Sequence, residues 1–184
     1  MDPAGSGVFE ARLGGIVRWI TIGTCLLLLA VMAAGILKAG NDFLLVWAMY
    51  VVPVGMLVFG TAFRTTGYAL EGNGVYVLRP VGRKRIATRG AEALADDDAF
   101  RGAWRLFGNG GFFGVTGWFR TRKYGTCRAW VTDLSSLVVL RSDGRTALVS
   151  PLDRERFVQA LGGTRPLSPG PSPARGEGRK AAPR

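Results

Sequence analysis

The side chains that most often carry catalysis are scarce in this chain. It contains no histidine, which excludes Ser-His-Asp and Cys-His triads and removes the commonest general base and the commonest zinc ligand. The two cysteines, Cys25 and Cys127, lie far apart along the chain and form no Cys-x-x-Cys motif. Cys127 falls in a stretch of alternating apolar residues, and we interpret it as a small core residue.

The acidic residues cluster once, at Asp96-Asp97-Asp98. Metal-dependent chemistry needs carboxylates that converge from different elements, whereas three consecutive side chains point apart. We interpret this run as a solvated loop. The sequence therefore predicts no catalytic residue, no metal site and no cofactor, and we expect a protein that is not an enzyme.

The binding surface expected from the sequence is basic and aromatic. Six glycines fall within the 16 residues from Gly102 to Gly117, interleaved with aromatic residues, and basic residues follow directly. A second basic group lies some twenty residues before this glycine-rich segment. The candidate residues for binding lipid or a partner are Arg83, Lys84, Arg85, Phe112, Phe113, Trp118, Arg120, Arg122 and Lys123.

The glycine-rich segment has two open interpretations. It lacks the Gly-Lys-Ser/Thr ending of a P-loop and the strand–turn–helix context of a dinucleotide-binding turn. It is either an irregular connection between strands whose rings pack on the domain, or a surface that inserts rings and positive charge into the lipid interface. Nucleic-acid binding has the same composition. We expect none, because a domain tethered beside a bilayer meets lipid head groups first.

The first third of the chain predicts a pair of membrane-spanning helices. Residues 19–37 and 43–63 carry no charged side chain, and about 20 apolar residues cross a hydrocarbon core of about 30 Å. We expect spans over about 16–37 and 43–63, joined into a hairpin that occupies 16–63. The alternative is a signal peptide followed by a core helix, which the length of the first run and the immediate second run disfavour.

The charge distribution predicts the orientation of this hairpin. The chain has 24 Lys+Arg and 13 Asp+Glu, a net charge of +11, and that whole excess lies from Arg64 onward. Lys and Asp balance each other in the short loop between the helices. Because basic residues favour the cytoplasmic side, we expect a multi-pass protein of the inner (cytoplasmic) membrane. The N-terminal segment 1–15 and the C-terminus are then both cytoplasmic.

Residues 64–161 are predicted to form a β domain. Alternation with period two marks strands at 75–79, 83–88 and 126–132. The dipeptide Asp143-Gly144 between two apolar runs predicts a tight hairpin. Many short strands with glycine-rich turns favour a small barrel or sandwich.

A short helix and a tail are expected to follow the strands. Ser150 as N-cap and Pro151 as first helical residue predict a helix with one apolar stripe that caps the domain. Residues 162–184 contain five prolines and five glycines and carry a net charge of +4. We expect this basic tail to be disordered, and a proline-rich ligand segment is the alternative.

Three parts of the chain resemble the bacterial pleckstrin-homology-like (PH domain) family of small membrane proteins. They are the glycine-rich segment through Cys127-Arg-Ala-Trp-Val-Thr-Asp133, the group 82–86, and the closing region 149–161. The resemblance covers roughly residues 60–162. It implies a seven-stranded, half-open barrel plugged by a C-terminal helix, no catalytic residues and an undefined ligand. The expected fold is therefore an α+β membrane protein, with a two-helix transmembrane hairpin followed by a PH-like β-barrel. The acidic run and the long basic tail depart from the family pattern.

Two functions remain open. In the first, the β domain is a non-catalytic interaction or assembly module at the cytoplasmic face of the membrane, and its partner is another protein or a second copy. In the second, it binds anionic lipid through its basic and aromatic surface. Arg83-Lys84-Arg85 is the best lipid candidate, because PH domains that bind inositol lipids place basic residues near their first strand turns. A solvated basic strand is the alternative for these three residues.

Overall fold

The computed structural model describes residues 7–38 and 43–162, and within them it contains three helices and ten strands. The predicted tail lies outside the described residues from 163 onward. The helices are α1 (Gly15–Lys38), α2 (Phe43–Phe63) and α3 (Arg154–Ala160). The strands are β1 (Gly7–Glu10), β2 (Gly67–Glu71), β3 (Gly74–Leu78), β4 (Arg83–Thr88), β5 (Glu92–Ala95), β6 (Trp104–Gly110), β7 (Val115–Thr121), β8 (Gly125–Val131), β9 (Val138–Ser142) and β10 (Arg145–Val149).

Helix α1 carries no charged side chain between Arg18 and Lys38, and α2 carries none at all. Only 17% of the apolar stretch of α1 and 6% of that of α2 is buried, so most of this surface has no protein cover. The helices contact each other at Gly35, where an added Cβ would lie 3.1 Å from Cβ of Met49. Both helices are long and apolar enough to cross a membrane.

The strands form two sheets. The first has the order β1-β2-β3-β4 and the second the order β5-β9-β10-β8-β7-β6. Neighbouring strands are antiparallel except for the parallel pair β8–β10. The β9–β10 hairpin confirms the tight turn predicted from its sequence. Asp143 and Gly144 have φ of 50° and 70°, the left-handed conformation that both central residues of a type I′ turn require.

The expected barrel is wrong, because neither sheet closes within the described residues. Between β4 and β5 the chain turns a corner, with the Ala91 amide donating to the Thr88 carbonyl at 3.1 Å. This corner takes the chain from the first sheet to the second, where β5 pairs with β9. The two sheets meet there without pairing their backbones, at Ser142, whose hydroxyl lies 2.7 Å from that of Thr88 and accepts from the Thr88 amide at 3.4 Å. A barrel closes only when its edge strands are joined by backbone hydrogen bonds. Because the chain turns between β4 and β5, these two edge strands do not pair.

Two apolar cores stabilise the domain. The first lies between the sheets and under α3, and it contains Tyr68, Trp130, Leu140 and Phe157. The Tyr68 hydroxyl joins the layers, donating to the Trp130 carbonyl at 2.6 Å and accepting from the Ser150 amide at 3.0 Å. Burial raises the pKa of Tyr68 to about 12, so this hydroxyl stays protonated as a donor at physiological pH.

The second core lies on the other face of the six-stranded sheet. It contains Val115, Phe119 and Leu148 from the strands, and Val17 from the first turn of α1. Strand β1, which the sequence analysis did not predict, pairs with β2 just before this turn. The start of α1 therefore packs in the same core as the β domain.

Helix α3 confirms the predicted apolar stripe but not the predicted cap. Phe157 and Val158 are buried under the sheets. The N-cap is Asp153, whose carboxylate accepts from the Arg156 amide at 3.3 Å. Ser150 lies earlier, where its hydroxyl accepts from the Thr132 amide at 2.8 Å. Because the Ser150 hydroxyl joins the chain after β10 to the chain after β8, it does not cap the helix.

Candidate binding site beside the helix pair

The glycine-rich segment is a β-hairpin, formed by β6 and β7. Most of the segment is therefore regular strand, and the predicted irregular connection between strands is limited to residues 111–114. Gly108 and Gly117 face each other in register, and the strands approach closely there. A Cβ on Gly117 would lie 2.1 Å from the Phe107 carbonyl oxygen. The glycines are required by this close approach.

The tip of the β6–β7 hairpin is fixed to the helix pair. Asn109 closes the tip, because its side-chain oxygen accepts from the Phe112 amide at 3.1 Å. The buried Thr21 hydroxyl of α1 accepts from the Phe113 amide at 3.0 Å and donates to the Val17 carbonyl at 2.8 Å. The bond from the Phe113 amide to Thr21 holds the tip against the second turn of α1.

Phe112 and Phe113 lie at this tip and are half-buried. Their ring centroids are 4.7 Å apart. Both rings pack against Gly60 of α2, where an added Cβ would lie 2.5 Å from Phe112 and 2.9 Å from Phe113. The two candidate rings therefore contact the helix pair and are only partly accessible to any other partner.

A groove with a volume of about 630 Å³ lies between α2 and the β6–β7 hairpin. We call it the hairpin groove. One wall is the last part of α2, with Met56, Phe59 and Phe63, and the facing wall includes Phe107 and Trp118. Three arginines also line it: Arg64, Arg79 and Arg128. An apolar trough with guanidinium groups in its lining can accommodate a ligand that is apolar in one part and anionic in another.

Arg79, Lys84 and Arg128 form a group of like charges, which we call the basic cluster. Burial and the positive charge of Arg128 lower the pKa of Arg79. The charge of Arg128, then burial and the charge of Arg79, lower the pKa of Lys84. No ion pair of the described residues includes any of the three. The cluster is therefore a region of uncompensated positive potential, which favours anions.

Arg128 and Arg79 each have guanidinium N–H groups without a hydrogen-bond acceptor among the described residues. The Arg128 guanidinium lies over two indole rings, 5.3 Å from the ring centroid of Trp118 and 4.9 Å from that of Trp130. Stacking orients a guanidinium without using its N–H groups. Nε of Arg79 is buried without a hydrogen-bond partner. Buried donors without a partner are rare and call for a ligand or water at the site.

The remaining basic candidates are dispersed. Arg83 pairs with Glu71 at 2.5 Å, and Arg85 donates to the Asn73 carbonyl at 3.0 Å. Alternation along β4 thus separates Lys84 from its two neighbours. Lys123 pairs with Asp96 at 2.5 Å. The other two candidates, Arg120 and Arg122, are exposed at the end of β7 and in the turn after it.

The acidic run is divided among three cations. Asp96 accepts from Lys123 and Tyr124, Asp97 pairs with Arg154, and Asp98 pairs with Arg101. Burial works against the charged form of Asp96, but the hydrogen bonds from Lys123 and Tyr124 outweigh it and lower its pKa. Among residues 7–38 and 43–162, no three His, Cys, Asp or Glu side chains lie together as metal ligands would. These carboxylates bind neighbouring cations.

Cys127 is buried in the second core. Burial raises the pKa of its thiol to about 11, so the thiol stays protonated at physiological pH. A protonated, inaccessible thiol is a poor nucleophile. Cys127 therefore behaves as the core residue that the sequence predicted.

Sequence reasoning found four members of the candidate site, namely Phe112, Phe113 and Trp118 in the groove lining and Lys84 in the basic cluster. It missed Arg64, Arg79 and Arg128. Arg79 lies between the apolar strand β3 and Pro80, and nothing in the sequence around it indicated a binding residue. Arg128 faces Trp118 across the β7–β8 ladder. Its place two residues before Trp130 in an alternating strand was the one available indication that the two share a face.

Comparison with known proteins gives one family match. The sequence model described as "Bacterial PH domain" matches residues 66–164, just over half of the chain. This match confirms the resemblance found in the sequence. No curated protein and no solved structure matches the chain.

Proposed function

The chain belongs to the bacterial PH domain family, and from that premise we propose that it is a membrane-anchored, non-catalytic interaction module at the cytoplasmic face of the membrane. PH domains are in general modules that bind lipids or proteins and catalyse no reaction. The observation that carries the proposal is the fixed junction between the helix pair and the domain, made by Thr21 and Gly60. A domain clamped to an anchor is held at the surface where its partners lie.

The anchor in this proposal is the α1–α2 pair, spanning the membrane with both ends cytoplasmic. The large apolar surface that both helices leave uncovered supports this assignment, because such surface is costly in water. The basic residues support the orientation, since Arg18 stands in the first turn of α1 and Arg64 directly follows α2.

The junction also determines the depth of the hairpin tip. Gly60 precedes Arg64 by four residues, about 6 Å along a helix, and Thr21 follows Arg18 by three. If the arginines mark the membrane surface, Phe112 and Phe113 lie at the lipid interface while packing on the helices. In this proposal the two rings pack on α2 and also lie at the lipid interface, so the two interpretations of the glycine-rich segment are compatible.

Strand β6 is the surface that we propose for assembly. It is an edge of the six-stranded sheet, and no described strand pairs with its outer side. All seven of its residues are exposed, and Trp104 and Phe107 are each 77% exposed. An unpaired edge with large apolar side chains is a template for adding a strand from a partner or a second copy.

Photo-crosslinking in cells tests the assembly role. A photoreactive residue at Leu106, 56% exposed on β6, is compared with one at Leu152, 55% exposed near α3. We expect a protein adduct from position 106 and none from 152, and the mass of the adduct distinguishes a second copy from another protein. Equal protein adducts from both positions, or only lipid adducts from 106, would contradict assembly through β6.

Anionic-lipid binding is the second candidate function. The basic cluster favours it, because Arg79 and Arg128 line the groove beside α2. Lys84 adds its charge to theirs, and none of the three has a carboxylate partner among the described residues. Each Lys or Arg near an anionic membrane surface contributes about 1 kcal/mol to binding. Of the residues predicted from the sequence for this role, Lys84 and Trp118 stand at the cluster, and Arg83 and Arg85 do not.

A further inference from the structure

We propose that the hairpin groove binds one anionic phospholipid of the surrounding membrane, with its phosphate at Arg79 and Arg128 and one acyl chain between α2 and the β6–β7 hairpin. The proposal rests on the membrane anchoring proposed above, and it goes further by naming one site and one class of ligand. It differs from general attraction to a charged surface, because it requires a defined stoichiometry and a defined place.

The apolar wall of the groove follows α2 into its apolar stretch. Met56, Phe59 and Phe63 line it. Met56 precedes Arg64 by eight residues, about 12 Å along the helix axis. A ligand that lies along this wall therefore extends from the level of the membrane surface to the depth of the acyl chains. Lipid fits this depth, whereas a water-soluble peptide does not reach it.

The other part of the lining suits a phosphate. A guanidinium presents N–H donors in a planar fork and binds phosphate oxygens in pairs. Arg128 is already oriented over Trp118 and Trp130, and Nε of Arg79 is a buried donor without a partner. Both therefore offer donors before any ligand arrives, which lowers the entropic cost of binding.

The charges of the site give a second reason to expect an anion. Arg79, Lys84 and Arg128 repel one another, and burial and that repulsion lower the pKa of Arg79. A phosphate between Arg79 and Arg128 replaces repulsion with attraction. The site thus combines an apolar trough with uncompensated positive charge, the complement of an anionic phospholipid.

Native mass spectrometry of the full chain, purified in mild detergent, tests the proposal. Phosphatidylglycerol and phosphatidylcholine are added separately as probes. The test variant is Arg79→Gln with Arg128→Gln. The matched control is Arg83→Gln with Arg120→Gln, which removes the same charge outside the groove. We expect one phosphatidylglycerol per wild-type or control chain, weak binding of phosphatidylcholine, and at least tenfold weaker phosphatidylglycerol binding by the test variant.

A second variant tests the groove without replacing Arg128, whose substitution also removes its contacts with Trp118 and Trp130. Thr116 lines the groove, and Thr116→Leu fills the trough while leaving the basic cluster intact. We expect it to weaken phosphatidylglycerol binding as well, with an unchanged thermal midpoint. Four results would overturn the proposal: equal losses in test and control variants, binding unaffected by Thr116→Leu, equal binding of both lipids, or an acidic protein that copurifies and is lost in the test variant.

Alkaline extraction of membranes separates this proposal from the proposed function. If the wild-type chain leaves the membrane on extraction, the anchoring fails and the groove proposal fails with it. If the chain stays in the membrane while all variants retain lipid equally, only the groove proposal fails.

Discussion

A single hydroxyl, that of Thr21, connects the helix pair to the hairpin tip at the residue scale. It accepts from the Phe113 amide at 3.0 Å and donates to the Val17 carbonyl at 2.8 Å. Thr21 is buried, with 7% of its surface exposed. Removal of the hydroxyl leaves the partly buried Phe113 amide without its acceptor, which costs more than the loss of a solvated hydrogen bond.

Thr21→Val therefore lowers the free energy of unfolding by about 1–2 kcal/mol. The control is Thr61→Val, since the Thr61 hydroxyl is exposed and donates only within its own helix, to Leu57 at 2.9 Å. Denaturant unfolding of the full chain in micelles measures both. Equal effects of the two substitutions would show that Thr21 does not hold the tip.

The residues of the candidate site were only partly predictable. Composition drew attention to Arg83 and Lys84 equally, but alternation along β4 places them on opposite faces, and Arg83 meets Glu71. Arg128 reaches Trp118 because strands β7 and β8 pair in one particular register. Register depends on contacts distant in sequence, so the composition of a segment does not report it.

The β6–β7 hairpin determines the groove at the element scale. Gly108 and Gly117 lie opposite each other and both have positive φ, 118° and 147°. Side chains at these positions would collide with the backbone of the facing strand. The hairpin thus depends on glycine in order to keep its strands close and its tip directed at Gly60.

Gly117→Ala is expected to destabilise the domain strongly. Positive φ costs a residue with a side chain about 1–2 kcal/mol, and overpacking against the Phe107 carbonyl adds about 1–3 kcal/mol. Gly125→Ala is the control, because Gly125 has φ of 67° but open space around it. Thermal unfolding should show a clearly larger decrease of the midpoint for Gly117→Ala than for Gly125→Ala. Equal decreases would show that positive φ alone, and not the contact with the Phe107 carbonyl, limits the residue at position 117.

The elements themselves were largely visible in the sequence. Period-two alternation and the Asp143-Gly144 turn predicted the β9–β10 hairpin, because the signals are local. Strand β1 was missed, since its four residues acquire their strand form from pairing with β2. The N-cap of α3 was predicted three residues too early, because the Ser150 hydroxyl accepts from the Thr132 amide, just after β8, instead of beginning the helix. Sequence patterns predicted the elements that depend on neighbouring residues. They did not predict β1 or the α3 cap, because those depend on residues distant in the sequence.

At the scale of the whole molecule, the helix pair and the β domain form one connected structure. Strand β1 pairs with β2, and Val17 of α1 packs in the second core. The β6–β7 hairpin contacts both helices, at Thr21 and Gly60. If α1 and α2 span the membrane, these contacts hold the basic cluster at its surface and leave the edge of β6 accessible.

The orientation of the domain is the claim on which this account depends most. It is measured with reporters fused after Leu161 and, separately, in the loop between α1 and α2. We expect a cytoplasmic reporter to be active after Leu161 and a periplasmic reporter to be active in the loop. Periplasmic activity of the fusion after Leu161 would contradict the account, because the proposed interaction surface would then face away from the cytoplasm.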